Sequence, residues 1–178
     1  MKHLVTGGAG FIGGHLVDKL IEQGHEVITV DNLSTGIKSN INPKATFINA
    51  DISERINREE LCIAMENVDT VFHCAALARV QPSIQNPQKY HKANIDGTFN
   101  VLLSARDSKV RRVVYSASSS AYGDQKQMPL TEDMPTAPIS PYALHKLIGE
   151  QYCFVFSKCY GLETVNLRYF NVYGERQA

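Results

Sequence analysis

Short apolar runs alternate with longer amphipathic segments along this chain. The apolar runs are rich in β-branched residues and cover residues 3–7, 26–31, 46–51, 69–75, 111–117 and 163–170. This alternation is typical of βαβ units, in which parallel strands are joined by helices that cover the sheet. The pattern predicts an α/β protein with a doubly wound parallel sheet of six strands and helices on both faces.

Three of the intervening segments have apolar residues at helical spacing, which predicts helices over residues 11–23, 90–108 and 142–160. Gly24 and Gly161 follow the first and the last of these segments, as is usual at a helix C-terminus. Ser140 and Pro141 precede the last segment, where a serine N-cap and a proline in the first turn are favoured. Residues 128–141 contain four of the seven prolines, so they are predicted to form a loop.

Composition narrows the classes of partner. The 178 residues predict a single domain, residues 1–178, and 18 basic residues balance 18 acidic ones. Without a net field we expect neither nucleic acid nor an anionic membrane as a partner. No apolar run approaches the roughly 20 residues that span a bilayer. The four cysteines show no CxxC spacing, which favours reduced thiols and a cytoplasmic protein.

A glycine-rich stretch, TGGAGFIGG, follows the first predicted strand and opens the first predicted helix. Gly7, Gly10 and Gly13 have the spacing GxxGxxG. Such a pattern alone most often marks a tight turn, but strand, loop, helix and second strand follow here in order. In that context small residues let the backbone approach a pyrophosphate at the helix N-terminus. The stretch therefore predicts a dinucleotide-binding loop.

Two aspartates end the second and third predicted strands. Asp31 lies 18 residues beyond Gly13, where a carboxylate can accept both hydroxyls of an adenosine ribose and repel a 2′-phosphate. This position favours NAD over NADP, although Asp31 could merely begin the turn DNLSTG. Asp51 is placed to meet the adenine edge, or equally to cap the helix that follows.

Tyr142 and Lys146 lie one turn apart at the start of the last predicted helix, so their side chains share a face. A tyrosine is a poor base at neutral pH unless its phenolate is stabilised. The ammonium of Lys146, together with an oxidised nicotinamide ring, is predicted to lower the pKa of Tyr142. The run SASSSAYGD, residues 116–124, supplies hydroxyl groups at the end of the fifth predicted strand, although serines in a loop often bond only to nearby backbone.

Six segments together, TGGAGFIG, DNLSTG, HCAAL, SASSSAYG, YALHK and RYFNVYG, resemble the extended short-chain dehydrogenase/reductases. The resemblance is to the NAD-dependent epimerase/dehydratase family, and within it to nucleotide-sugar epimerases of the UDP-glucose 4-epimerase type. It extends from the first residues to about Gly174. It implies a Rossmann domain with tightly bound NAD, a nucleotide-sugar substrate such as a UDP-hexose, and epimerisation through a transient 4-keto sugar.

The resemblance also implies roles for individual residues. Tyr142 would be the base, Lys146 would bind the nicotinamide ribose, and Ser118, placed five residues before Gly123, would bond to the sugar hydroxyl. The implied substrate contacts are Ser118, Ser119, Ser120, Tyr142 and, for the diphosphate, Asn171. The implied NAD contacts are Gly7, Gly10, Phe11, Ile12, Gly13, Asp31, Asn32, Leu33, Ser34, Thr35, Gly36, Asp51, Ile52, Cys74, Ala75, Ala76, Leu77, Ala78, Asn94, Tyr142, Lys146, Tyr169 and Phe170.

Other activities remain open at this point. Sugar-nucleotide 4,6-dehydratases that resemble this chain carry acidic residues directly after the catalytic serine or threonine, because elimination of water needs an additional acid and base. Ser119 and Ser120 occupy those positions here, which favours epimerisation over dehydration. A relative acting on uronic acids and a non-catalytic NAD-binding module are further alternatives. Arg79 would contact a substrate carboxylate or phosphate, or would be a solvated loop arginine.

The resemblance further implies a C-terminal substrate lobe that would follow these residues and would distinguish one sugar nucleotide from another. No metal ion is expected. The helices over residues 89–108 and 142–160 resemble those that pair in a dimer interface, although a helix covering a sheet has the same pattern. A homodimer is the prediction.

Overall fold

A computed structural model describes residues 1–54 and 58–177 of the chain. Six parallel strands form one sheet in the order β3-β2-β1-β4-β5-β6. The strands are β1 (Lys2–Thr6), β2 (Glu26–Asp31), β3 (Thr46–Asn49), β4 (Thr70–His73), β5 (Arg112–Ser118) and β6 (Glu163–Tyr169). This is the strand order of the doubly wound dinucleotide-binding fold, so the predicted fold class is confirmed.

Within residues 1–54 and 58–177, six α-helices connect the strands. They are α1 (Phe11–Glu22), α2 (Arg58–Ala64), α3 (Val80–Gln85), α4 (Pro87–His91), α5 (Gly97–Asp107) and α6 (Pro141–Tyr160). A π-helical turn, Lys92–Asp96, joins α4 to α5, and short 3₁₀ turns occupy Lys38–Asn40 and Ser119–Tyr122. Among the described residues, no helix is both long enough and apolar enough to cross a bilayer.

Both faces of the sheet are buried. Neighbouring residues of a strand point to opposite faces, so consecutive residues of β1 belong to different buried clusters. Leu4 of β1 belongs to a large buried cluster with residues of α2, α5 and α6, including Leu61, Leu102 and Phe156. Val5, the next residue, packs on the other face in a smaller cluster with Val17 of α1. Helices therefore cover both faces, as the strand pattern predicted.

Helix α6 begins and ends as the sequence predicts. The Ser140 side chain accepts a hydrogen bond from the Ala143 amide at 3.2 Å, and Pro141 occupies the first turn. Gly161 at the other end has a left-handed φ of 69°, which glycine adopts without a steric penalty. Residues 128–140 contain no regular element, which confirms the predicted loop.

Two features differ from the sequence prediction. The segment 90–108 was predicted as one helix, but the structure widens to a π turn at Lys92–Asp96 before α5 begins. A π turn inserts one extra residue into a helix and is common at functional sites. The short helices α2 and α3 were not predicted, because α2 has only seven residues and α3 only six, with Pro82 inside it.

Candidate active site

Two loops meet at the point where the strand order reverses, between β1 and β4. Gly7, after β1, has φ of 74° and donates its amide to the Val30 oxygen at 2.8 Å. A Cβ atom on Gly7 would lie 2.7 Å from the Ala75 nitrogen, in the loop after β4. Only a residue without a side chain allows the two loops to approach this closely. Ligands of doubly wound sheets bind at this position.

The first turn of α1 faces the same crevice. Gly10 is the N-cap, with no side chain capping the turn and no acidic residue within it. A Cβ atom on Gly13 would lie 2.2 Å from the main-chain oxygen of Gly7, so the loop folds directly onto the helix. The amides of a first helical turn have no partner within the helix. This turn is therefore suited to hold an anionic group such as a pyrophosphate.

Asp31 is nearly buried at the end of β2 and organises the two adjacent loops. Its Oδ2 accepts the Ala9 amide of the glycine loop at 3.0 Å, and its Oδ1 accepts the Leu33 amide at 2.8 Å. The turn interpretation of Asp31 is thus observed. It does not exclude a ribose contact, because each carboxylate oxygen accepts more than one hydrogen bond.

Asp51 follows β3 and is linked to the turn after β2. Asn32 donates to Asp51 Oδ2 at 2.9 Å, while the Ser53 amide and hydroxyl donate to Oδ1 at 2.8 and 2.6 Å. Burial acts to raise the pKa of Asp51, but these hydrogen bonds outweigh it and the pKa is lowered. The carboxylate is therefore ionised at neutral pH and closes a local turn at Ser53.

The loop after β4, residues 74–78, is held by side chains from two other elements. Thr6 Oγ1 accepts the Ala75 amide at 3.2 Å. Asn94, in the π turn, accepts the Leu77 amide at 2.8 Å through Oδ1 and donates to the Leu77 oxygen at 3.0 Å through Nδ2. Asn94 thus pairs with Leu77 as a neighbouring strand would, which fixes the backbone of this loop.

These loops enclose a cleft of about 370 Å³. Most predicted cofactor contacts line it, namely Gly7, Gly10, Phe11, Ile12, Gly13, Asp31, Asn32, Ser34, Thr35, Asp51, Ile52, Cys74, Ala75, Ala76, Leu77 and Ala78. The lining does not include the predicted contacts Leu33, Gly36, Asn94, Tyr142, Lys146, Tyr169 and Phe170. Leu33, Gly36 and Asn94 instead lie behind the lining. The Leu33 amide bonds to Asp31 and Asn94 bonds to the Leu77 backbone, while a Cβ atom on Gly36 would lie 2.8 Å from Asp31 Oδ1.

Several lining residues were not predicted from the sequence: Val30, Ala50, Tyr90, Ala93 and Gln177. Val30 and Ala50 directly precede the two aspartates, so the strand ends could have indicated them. Tyr90 and Ala93 lie four and one residues before Asn94, on the same helical segment. Arg79, which had two interpretations, lies at the cleft with its side chain largely exposed.

Tyr142 lies in the first turn of α6, and its amide donates to the buried hydroxyl of Ser83 at 3.2 Å. Burial raises the pKa of Tyr142, while the nearby Ser118 hydroxyl lowers it and Tyr90 raises it further. This direction is opposite to the lowering predicted from Lys146 together with an oxidised nicotinamide ring. The physical reason is that desolvation of the phenolate outweighs the hydrogen bond from Ser118.

Lys146 is almost completely buried one turn along α6. Its Nζ donates to the main-chain oxygen of Ser116 at 2.7 Å and lies 5.0 Å from the ring centroid of Tyr115. Burial lowers the pKa of Lys146 to about 8, and Cys74 acts in the opposite direction. The Ser116 hydroxyl in turn donates to the sulfur of Cys74, which lines the cleft, at 3.4 Å, so Ser116 connects the lysine to the cleft wall.

The serine run ends β5 beside the last strand. Ser118 is paired with Tyr169 of β6, and its Oγ lies 2.8 Å from Ser120 Oγ and accepts the Ser120 amide at 3.2 Å. The local bonding that serine runs often make is therefore observed. Burial raises the pKa of Tyr169. Beyond β6, the predicted contacts Phe170 and Asn171 are exposed.

A buried ion pair supports this end of the sheet and was not predicted. Arg168 of β6 donates to both carboxylate oxygens of Glu150 in α6, with Nε–Oε1 and Nη2–Oε2 distances of 2.9 and 2.8 Å. The guanidinium carbon also lies 4.6 Å from the Tyr122 ring centroid, next to the serine run.

In the described part of the chain, no cluster of three or more His, Cys, Asp or Glu residues could hold a metal ion.

A parallel sheet in this strand order, with a glycine loop at its switch point, defines a dinucleotide-binding protein of the Rossmann type. Comparison with protein families agrees and is more specific. The chain belongs to the NAD dependent epimerase/dehydratase family, whose model matches residues 3–178.

Individual relatives are similar over nearly the whole chain. A putative UDP-glucose 4-epimerase of Methanocaldococcus jannaschii is 47% identical over 175 residues, which cover 98% of this chain and 57% of the relative. The UDP-glucose 4-epimerase of Thermotoga maritima, solved with UDP-glucose, is 42% identical with a TM-score of 0.95, covering 100% of this chain and 58% of that one. The Thermus thermophilus UDP-glucose 4-epimerase, solved with NAD, is 37% identical with a TM-score of 0.94, covering 100% and 58%. The chain thus spans a little more than half the length of these relatives.

Proposed function

We propose that the cleft at the switch point binds NAD. The residues present fit this dinucleotide, because the uncapped first turn of α1 suits a pyrophosphate and Gly7 and Gly13 leave no side chain in its way. The Thermus thermophilus relative, solved with NAD, supports the proposal. Asp31 would accept the adenosine ribose hydroxyls and Asp51 would lie at the adenine end. Residues 74–78 would line the nicotinamide end, toward Lys146.

The reaction that fits this site best is the 4-epimerisation of a nucleotide sugar, of the UDP-glucose and UDP-galactose type. Tyr142 would remove the proton of the C4 hydroxyl, with Ser118 bonding to the same oxygen. NAD would supply the acceptor that takes the C4 hydride and later returns it to the opposite face of the 4-keto sugar. Lys146 would bind the nicotinamide ribose and, as a cation, favour the Tyr142 phenolate.

The surroundings of Ser118 do not favour a 4,6-dehydratase. Ser119 and Ser120 carry hydroxyl groups where dehydration calls for a carboxylic acid, and Ser120 is already bonded to Ser118. The observation that supports the epimerase proposal is the proximity of three side chains near the end of β5. The Tyr142 hydroxyl is within hydrogen-bond reach of Ser118, and Lys146 bonds to Ser116 on the same strand.

The test is conversion of UDP-galactose to UDP-glucose by the purified protein and by a Tyr142→Phe variant. We expect the variant to lose turnover by about 10²-fold or more, because it lacks the proton-accepting oxygen, and to keep its affinity for NAD. Tyr152→Phe, a change on the same helix away from Ser118, is the matched control and should retain turnover.

Each alternative gives a distinct result in this assay. Equal turnover by Tyr142→Phe and the control would remove Tyr142 from the mechanism. NAD binding without any turnover by the unaltered protein would favour the non-catalytic module. Accumulation of a 4-keto-6-deoxy sugar would indicate a dehydratase, and turnover of UDP-glucuronate alone would indicate an enzyme acting on uronic acids.

A homodimer is proposed through helices α5 and α6. Phe99, Leu144 and Val155 on these helices are exposed, which supports an apolar interface. Val155→Arg should then convert a dimer to a monomer in light scattering, whereas Ile63→Arg, on α2, should not. A monomeric unaltered protein would contradict the proposal.

A single domain and a cytoplasmic location stay predictions, the latter supported by the four free cysteines.

A further inference from the structure

His73, at the end of β4, is a buried polar residue that the mechanism above does not use. Its Nδ1 lies 2.7 Å from Thr6 Oγ1 of β1, and its Nε2 lies 2.9 Å from Thr98 Oγ1 of α5. Thr6 Oγ1 also accepts the Ala75 amide, and Thr98 Oγ1 donates to the Asn94 oxygen at 2.7 Å. The imidazole thus connects Thr6 to Thr98 and, through Thr98, to Asn94. Thr6 and Asn94 are the two residues that support the loop at residues 74–78.

The acceptor at one end of this network, the main-chain oxygen of Asn94, fixes the direction of every hydrogen bond. A main-chain oxygen only accepts, so the hydroxyl proton of Thr98 is directed to Asn94. The Thr98 oxygen must therefore accept the proton carried by His73 Nε2. In a neutral imidazole Nδ1 then carries no proton, and it accepts a hydrogen bond from the Thr6 hydroxyl. The Ala75 amide donates to Thr6 in turn, which completes one ordered chain, Ala75–Thr6–His73–Thr98–Asn94.

The surroundings keep the imidazole neutral. Burial lowers the pKa of His73 to about 3, and the positive charge of Lys146 adds to this effect. The Tyr115 ring, with its centroid 5.6 Å from that of His73, is the other titratable group packed against the imidazole. Neither neighbour supplies a negative charge at neutral pH, so nothing here favours the imidazolium.

We propose that His73, as the neutral Nε2–H tautomer, is a positioning residue that sets the loop at residues 74–78 for the nicotinamide end of the dinucleotide. The ligand in this proposal rests on the proposed function, whereas the tautomer and the loop geometry do not. The loop is fixed at Ala75 through Thr6 and at Leu77 through Asn94. Because His73 connects both supports, its loss releases both at once.

The first experiment is ¹⁵N NMR of the imidazole in the unaltered protein without added ligand. We expect a proton bonded to Nε2 and none on Nδ1, with no titration between about pH 5 and 8, where histidines ordinarily titrate. A proton on Nδ1, or a titration in this range, would overturn the proposal whether or not the protein binds NAD.

The second experiment measures the Kd for NAD of two variants and one control. His73→Phe keeps an aromatic ring and Thr98→Val keeps the branched shape, but both break the chain. Each should weaken NAD binding by about tenfold or more, since two hydrogen bonds are lost or left unpaired. Ser104→Ala removes a buried hydroxyl of the same helix that has no hydrogen-bond partner among the described residues, and it should leave the Kd unchanged.

Amide NMR shifts separate positioning from general destabilisation. In both variants the Ala75 and Leu77 amides should shift, while amides of α1 should not. If His73→Phe binds NAD within about twofold of Ser104→Ala, the positioning role is wrong. If the unaltered protein binds no NAD, the proposed function fails, while the tautomer and the two amide shifts still decide whether His73 positions the loop.

Discussion

The Nζ of Lys146 donates a hydrogen bond to the main-chain oxygen of Ser116, with the two atoms 2.7 Å apart. Ser116 lies two residues before Ser118 on the same strand, so the lysine connects helix α6 to the strand that carries the serine. The bond also satisfies an ammonium that is otherwise buried behind the cleft. The fold itself thus fixes the position of Lys146, at a cost in solvation of its charge.

That cost predicts how stability depends on pH. The unfolded chain holds the lysine proton up to about pH 10.5, whereas burial lowers the folded pKa to about 8. Between these values the unfolded state binds more protons, so the contribution of Lys146 to the free energy of unfolding rises with pH. A Lys146→Met variant should be more stable than the unaltered protein at neutral pH, by about 1–3 kcal/mol.

The measurement is urea denaturation of both proteins at several pH values. The difference in free energy of unfolding should shrink as pH rises from about 8 to 10.5, because the unaltered protein then loses its buried charge. Other titrating groups are common to both proteins and cancel in the difference. A difference that stays constant over this range would show that Lys146 is not held with a lowered pKa.

Neighbouring glycines of α1 should respond in opposite ways to alanine. A Cβ atom at position 13 would lie 2.2 Å from the Gly7 oxygen, whereas one at position 14 has its nearest contact at 3.4 Å. Gly13→Ala should lower the free energy of unfolding by about 2 kcal/mol and abolish NAD binding. Gly14→Ala should raise it by up to about 1 kcal/mol, because alanine favours a helix. Equal stability of the two variants, measured by urea denaturation, would contradict the packing described.

Asp31 should select NAD over NADP. If its carboxylate meets the adenosine ribose as proposed, a 2′-phosphate would place a second negative charge beside it. Asp31→Ala should then lower the Kd for NADP divided by the Kd for NAD by about tenfold. Isothermal titration with each dinucleotide measures this ratio. Asp133→Ala, a carboxylate in the proline-rich loop, should leave the ratio unaltered. Should Asp31→Ala keep the original selectivity, the ribose contact assigned to Asp31 is incorrect.

The Glu150–Arg168 ion pair should contribute to the free energy of unfolding because it is shielded from water. Removing the guanidinium in Arg168→Met leaves the Glu150 carboxylate, only 8% exposed, without its partner, and should lower the free energy of unfolding by about 3–5 kcal/mol. Arg111→Met, at an arginine 49% exposed, should cost at most about 1 kcal/mol. Adding Glu150→Leu to Arg168→Met should restore much of the loss. Similar losses in the two arginine variants would show that burial does not matter here.

Much of this protein follows from local sequence. The short β-branched runs predict the six strands, because strands of a parallel sheet are buried on both faces and are therefore almost continuously apolar. Ser140, Pro141 and Gly161 fix the ends of α6 through interactions with their immediate neighbours. The glycine loop is equally local, since its three glycines and the strand before it lie within one short segment.

Only the tertiary structure decided the arrangements that join distant residues. Asn94 bonds to Leu77 17 positions away, and His73 to Thr6 67 positions away. No local pattern specifies such pairs, because they meet only once parallel strands and their helices pack together. The direction of the Tyr142 pKa shift was mispredicted for the same reason. Sequence spacing placed a cation beside the phenol, but the extent of burial, which dominates the pKa, is a property of the whole fold.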